Sequence, residues 1–312
     1  MKIFVTGGCG YIGAELVPFL LKKGHKIVST DIQYFGNPLK KHKNLKNIKI
    51  DLKDLKQSHL KGVDIVIHLA AISNDPSALL NPKITWDTNV LNTLHLLTLS
   101  KNAKIKKFIF ASSGSVYGIS KKNKVDENVK LVPVSEYNKT KMIGEILVRN
   151  FNKFFKTTIL RPGTVCGFSR NLRLDLTLNA LTFSALQKKK IFINGGKQIR
   201  PQLNIKDMIE AYDFFIRKNY YGTYNIGFEN LSINKVGNLV KNKIKNSIII
   251  KKSLFDIRSY RLYAGKINKI GFKSKYSSSD AIDELIKEFK NGSFKKKAIS
   301  YRSSYLSKIL KK

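Results

Sequence analysis

The chain has 312 residues, 42% of them hydrophobic and 10% aromatic, enough for a sizeable core and too many for a disordered, tail-like protein. Its two cysteines, Cys9 and Cys166, cannot make a disulfide framework, no Cys/His cluster has zinc spacing, and no apolar run reaches the ~18 residues of a membrane span. The net charge of +37 is spread along the chain and is nearly all lysine (49 Lys against 9 Arg), which argues for a lysine-coated surface rather than a nucleic-acid footprint.

Lysine, asparagine and isoleucine are abundant together, as an A/T-rich coding bias would produce. The apolar stretch at the N-terminus is too short for a signal peptide, so a cytoplasmic protein without a specific nucleic-acid partner or a metal is expected.

In chain order, Lys2–Thr6 reads as a short strand that stops at glycines. Residues 11–23 follow with helical spacing, Ile12, Leu16, Phe19 and Leu20 sharing one face, and Gly24 ends the helix. Lys26–Asp31 is a second strand and 64–70 a buried third. Residues 88–100 are helical, Lys107–Ala111 is a strand that ends at serines, 137–151 is a helix and 157–161 a strand. No period of 20–50 residues repeats. Strands alternating with helices predict an α/β doubly wound parallel sheet of the Rossmann type. After about residue 165 the alternation loosens, so a smaller mixed α/β domain is expected there.

The run Thr6-Gly7-Gly8-Cys9-Gly10-Tyr11-Ile12-Gly13 lies between the first strand and the first helix. Its glycines permit a tight turn and a close approach to a pyrophosphate, and the helix N-terminus offers free N–H groups to that anion. Asp31 ends the next strand, where it can accept two hydrogen bonds from a ribose diol and repel a 2′-phosphate. NAD is therefore the expected cofactor, held by Gly7, Gly10, Tyr11, Ile12, Gly13 and Asp31. The expected organisation is an NAD-binding domain over 1–165, with a return segment near 205–227, and a substrate domain over 166–312.

Lys107–Ala111 runs into Ser112-Ser113-Gly114-Ser115-Val116-Tyr117-Gly118, and Tyr137 and Lys141 follow four apart on one helix face. A lysine ammonium there would stabilise a tyrosinate and make the phenol an acid/base near neutral pH. A serine beside it can hold the sugar oxygen that loses or gains the proton.

With these residues in place, the chain resembles an extended short-chain dehydrogenase/reductase of the NAD-dependent nucleotide-sugar epimerase/dehydratase family. The resemblance also takes in Asp51-Leu52, His68-Leu69-Ala70-Ala71, Asn89, Arg161-Pro162-Gly163, Arg200, Asp207, Asn225-Ile226-Gly227 and Arg258, and spans about residues 1–290. It implies that Tyr137 deprotonates a sugar hydroxyl as hydride moves from carbon to NAD, with Ser113 as the strand-end hydroxyl and Lys141 as the tyrosine's partner. It also implies that Asp51 and Leu52 flank the adenine, that Ala70, Ala71 and Asn89 belong to the cofactor site, and that Arg200 and Arg258 reach the substrate diphosphate.

Departures narrow the chemistry. Sugar 4,6-dehydratases carry an Asp-Glu pair where this chain has Gly114 and Ser115, so no elimination machinery is evident. All five histidines precede residue 100 and no cysteine lies near Ser113, which argues against epimerisation at C3 and C5. Decarboxylases of the family place a glutamate at Ser115. Oxidation, reduction or epimerisation at one carbon remains, most often C4. A dehydrogenase releasing a keto-sugar is the alternative, as is a non-catalytic cofactor-binding relative, which intact Ser113, Tyr137 and Lys141 oppose.

Seven of the nine arginines lie between 161 and 261, where a planar fork for a nucleotide diphosphate is wanted. Arg217, among Ala211, Tyr212, Phe214 and Phe215, reads as structural. Residues 167–176 resemble a branch found among bacterial surface-glycan enzymes and are expected to wall the sugar pocket, with Arg173 in it and Asn179 near the phosphates; a loop anchored by Arg173 and Asp175 is the equal alternative. Asn204 stands where the family usually has histidine. The basic tail 293–312 is expected to be solvated or packed on its own domain, in preference to a membrane surface. By resemblance, helices 88–100 and 137–151 form a homodimer seam through Val90, Leu94, Leu97, Met142, Ile146 and Val148.

Overall fold

A computed structural model of the chain describes residues 1–253, 259–293 and 300–310. Its centre is a parallel sheet of seven strands. The first part of the chain supplies β1 (Lys2–Thr6), α1 (Gly13–Lys22), β2 (Lys26–Asp31), β3 (Leu45–Lys49) and β4 (Ile65–His68). Two short helices, α2 (Asp75–Leu80) and α3 (Pro82–Trp86), precede α4 (Asn92–Asn102), β5 (Lys107–Ala111), α5 (Glu136–Asn150) and β6 (Lys156–Pro162).

The remainder contains β7 (Thr164–Cys166), α6 (Thr177–Lys188), β8 (Lys190–Asn194), β9 (Ile199–Asn204), α7 (Ile205–Arg217) and β10 (Gly222–Ile226). It continues through β11 (Glu229–Ser232), α8 (Ile233–Lys243), β12 (Ile248–Lys252), α9 (Gly265–Lys269), α10 (Ser278–Lys290) and α11 (Arg302–Ile309). The large sheet runs β10-β6-β5-β4-β1-β2-β3, the doubly wound order read from the alternation. Two small sheets, β11-β9-β7 and β12-β8, lie outside it.

Strand side chains alternate between faces, and the two cores follow that period. Ile3 and Val5 of β1 join a cluster with Leu16 and Leu20 of α1, whereas Phe4 joins Val66, Leu97 and Phe108 on the opposite face. β3 (Leu-Lys-Asn-Ile-Lys) gave no periodic signal because it is an edge strand with two lysines and no fully buried side chain.

The helix expected over 88–100 is not uniform. A wider, π-type turn covers Asp87–Leu91 before α4 begins. It turns Asn89 inward, with consequences described below.

The strand order reverses between β1 and β4, which lie side by side at the sheet centre. A crevice forms outside the carboxyl ends of strands at such a switch point, and that is where ligands bind in open α/β sheets. His68 ties the point together. Its ring nitrogens bond the hydroxyls of Thr6 (2.6 Å) and Thr93 (2.9 Å), and burial, helped by the charge of Lys141, pushes its pKa down to about 3.

Candidate active site

The carboxyl ends of β1, β2, β4, β5 and β6 open into one cavity of about 400 Å³. Gly7 adopts a left-handed φ of +70°, and a Cβ there would stand 2.7 Å from the Ala70 nitrogen. A Cβ on Gly13 would stand 2.4 Å from the Gly7 oxygen. Backbone thus meets backbone across the switch point, and only glycine lets the loop and the start of α1 close so tightly. Gly7, Gly10, Tyr11, Ile12 and Gly13 all line the cavity beside the α1 N-terminus.

Asp31 is almost enclosed at the end of β2. Its carboxylate accepts the backbone N–H groups of Cys9 (3.0 Å) and Gln33 (2.6 Å). Burial raises its pKa, and these two bonds oppose the rise. Asp51 caps the short turn Leu52–Asp54, and Asp51 and Leu52 form one wall while Ala70 and Ala71 form another. A glycine cradle at a helix start, with a carboxylate at the end of the next strand, fits a dinucleotide.

The catalytic candidates meet on the far side. Ser113 follows β5 and caps the turn Gly114–Tyr117, its Oγ 2.7 Å from Ser115 Oγ. Ser135 caps α5 by accepting from Asn138 N–H (3.2 Å), which places Tyr137 in the first turn and Lys141 one turn on. Lys141 donates to the Ala111 carbonyl (2.8 Å) and lies 6.0 Å from the Tyr137 ring centre. All three line the cavity.

Their electrostatics differ from the expected pairing. Burial, then the charge of Asp75, pushes the Tyr137 phenol up to about 12; hydrogen bonding with Ser113 and the charge of Arg173 pull it down. Burial lowers Lys141 to about 8, against Glu145. Desolvation is the largest cause for both groups, and the Lys141 Nζ is committed to Ala111.

Among the arginines, Arg200 and Arg173 line the cavity. Arg173 does so while held by Asp175 (3.1 and 2.7 Å) and donating to Ser73 (3.0 Å), so pocket wall and anchored loop are the same arrangement. Arg217 ion-pairs with Asp213 (2.8 Å) away from the cavity. Arg258 lies outside the described residues.

Two expected site residues do not line the cavity. Asn179 is fully buried; its side chain bonds both backbone groups of Gly167, the Tyr11 hydroxyl and the Arg173 carbonyl. It shapes the loop instead of facing the phosphates. Asn89 exchanges two bonds with the backbone of Ile72 and donates to Thr140, because the wide turn points it between β4's exit and α5. Asn204 likewise caps α7 and reaches the Ser277 carbonyl (3.1 Å).

Among the cavity residues that the sequence does not mark as site residues are Asp75, Ser115 and Arg302. Asp75 comes from the short α2, which has no periodic signal. Ser115 was read only as a missing acid. Arg302 carried a signal, being the one arginine in a tail whose other basic residues are lysines.

Fold and site together define an NAD-dependent α/β enzyme with a Ser–Tyr–Lys set in a cavity that continues past the cofactor loop. A family model described as the NAD dependent epimerase/dehydratase family matches residues 3–227, and the chain belongs to that family. It is 36% identical over 261 residues to an uncharacterized UDP-glucose epimerase, YtcB, of Bacillus subtilis, covering 77% of this chain and 81% of that one. It is similar to the solved structure of MoeE5 in complex with UDP-glucuronic acid and NAD (TM-score 0.85, 26% identity, 93% of this chain and 99% of that one). It is also similar to UDP-N-acetylglucosamine 4-epimerase from Methanobrevibacter ruminantium M1 in complex with UDP-N-acetylmuramic acid (TM-score 0.86, 27% identity, 93% and 98%). The protein is an NAD-dependent enzyme of nucleotide-sugar epimerase/dehydratase chemistry. Among the described residues no helix is long and apolar enough to cross a membrane.

Proposed function

We propose that this protein epimerises a nucleotide-activated sugar at C4. The observation that carries the reading is the clustering of Ser113, Tyr137 and Lys141 in a cavity where Gly114 and Ser115 occupy the positions of an eliminating acid pair. The similarity to a 4-epimerase of known structure supports the choice of carbon.

In this reading Tyr137 is the acid/base. Its phenolate removes the proton of the C4 hydroxyl, and Ser113 orients that hydroxyl through its own oxygen. Bound NAD supplies the hydride acceptor, and Gly7, Gly10, Tyr11, Ile12, Gly13, Asp31, Asp51, Leu52, Ala70 and Ala71 hold it. Lys141, fixed on Ala111, keeps positive charge beside the phenolate. Arg200 takes the nucleotide diphosphate, and Arg173 walls the sugar end. Asn89 and Asn179 act as positioning residues through Ile72, Thr140 and Gly167. The resemblance of the 167–176 loop suggests a sugar destined for a bacterial surface glycan.

The active unit is a homodimer. Leu91, Leu94 and Ile146 are exposed on α4, the turn before it and α5, whereas the anticipated seam residues Leu97 and Val148 point into the core.

The test is a panel of UDP- and other nucleotide-sugars incubated without added NAD, with products separated by stereochemistry. Formation of the C4 epimer with no net absorbance at 340 nm is expected. A released keto-sugar with accumulating NADH would make the enzyme a dehydrogenase instead.

A further inference from the structure

The tail carries α11, and the first residue of that helix, Arg302, is a buried cation, 4% exposed. Its guanidinium carbon lies 3.8 Å from the ring centre of Phe35, just beyond β2. Nη2 donates to the carbonyl (3.0 Å) and side-chain oxygen (2.5 Å) of Asn171. Asn171 in turn donates to the carbonyls of Cys9, inside the glycine loop, and Phe35 (2.5 and 3.3 Å). Arg302 is thereby locked against the phosphate-binding loop. Further along α11, Leu306 is buried on the same cavity and Tyr305 meets Phe35 at 6.0 Å.

One part of this group is left over. Nη1 is buried and has no hydrogen-bond partner. A guanidinium removed from water needs its donors satisfied and its charge compensated. The charged groups around it oppose one another: Arg173 disfavours the cation, whereas Asp175 and Asp31 favour it, and burial outweighs them. An anion in the cavity would meet both needs. The dinucleotide offers two sources, the pyrophosphate and, in NADP, a 2′-phosphate. Asp31, negatively charged at the ribose end, disfavours the second.

We propose that Arg302, which lines the cavity, is a cofactor-binding residue whose enclosed, unpartnered Nη1 is uncovered on cofactor binding and takes a pyrophosphate oxygen of NAD, and that Arg302–Ile309 forms a strap across the dinucleotide. The proposal requires only that the protein binds NAD and is independent of which sugar carbon reacts.

The experiment is calorimetric titration of cofactor-stripped wild type, Arg302→Gln and Arg302→Lys with NAD, ADP-ribose, adenosine and NADP, alongside thermal unfolding. Arg302→Gln should weaken NAD and ADP-ribose by ~10-fold or more, the scale of a charge-assisted hydrogen bond. Adenosine, which has no phosphate, should be unaffected. Arg302→Lys keeps the charge and the stem, and should lose less than Arg302→Gln but still bind NAD measurably more weakly than wild type. If Arg302→Gln fails to fold, Arg302→Lys alone carries the test, and wild-type NAD affinity in it overturns the proposal. Unchanged NAD affinity in Arg302→Gln overturns it too. So does an equal loss for adenosine, which would make the strap a mere wall, or a larger loss for NADP than for NAD, which would assign Arg302 to a 2′-phosphate.

Discussion

Glu145 and Arg161 meet in a two-point ion pair inside the protein, at 2.8 and 2.6 Å, with side chains 0% and 2% exposed. The same carboxylate accepts from Ser112 at the end of β5 (2.5 Å), and Arg161 continues to the Tyr117 hydroxyl (2.6 Å) and so to Asn225 (2.8 Å). One network thus links α5, β5, β6 and β10 behind the catalytic face. Glu145 is also the charge that resists the lowering of Lys141 one turn away.

Replacing Glu145 by Gln should therefore act twice. It leaves Arg161 buried without its counter-charge, which costs about 3–5 kcal/mol of stability by the behaviour of broken buried pairs. It also removes the negative charge that holds up the Lys141 pKa. Urea unfolding reads the first effect. Lys83→Gln, at the exposed Lys83–Asp87 pair, is the control and should shift stability by only ~0–1 kcal/mol.

Tyr137→Phe keeps the ring packing and removes the acid/base. Turnover should fall by ~100-fold or more, the range of general acid–base catalysis, with NAD affinity retained. Steady-state rates paired with cofactor titration check this, and near-normal turnover would place the proton transfer elsewhere.

Asp75→Asn probes the phenol differently. The Asp75 charge raises the Tyr137 pKa, so removing it lowers that pKa. Since the deprotonated phenol is the reactive form, the rising limb of kcat/KM against pH should move to lower pH. Asparagine can still accept the Ser135 hydrogen bond. A limb that stays in place or moves upward would show that Asp75 does not act on Tyr137.

Charge placed on the exposed apolar strip should break the proposed dimer. Leu94→Glu and Ile146→Lys alter side chains 40% and 44% exposed and so spare the core. Light scattering at micromolar concentration should give a dimer for the wild type and a monomer for the double variant.

The sequence by itself determined the sheet, the cofactor loop and the Ser–Tyr–Lys set. Each of these is local: β1 and β5 are short apolar runs and, like β2, have the boundaries as read, glycine spacing is a backbone requirement, and a four-residue offset puts Tyr137 and Lys141 on one helix face whatever surrounds them. What only the tertiary structure decided depends on enclosure and on distant partners. Asn89 and Asn179 have the polarity of ligand-binding residues, but burial against Ile72 and Gly167 commits their amides to the backbone. Tyr137 and Lys141 stand one turn apart on α5 and both line the cavity, yet their pKa values follow from desolvation, which no spacing reveals. Arg302 lies 271 residues beyond Asp31 in the chain, and only folding brings the tail over the loop, where Phe35 and Asn171 hold a cation that the sequence leaves in a lysine-rich tail.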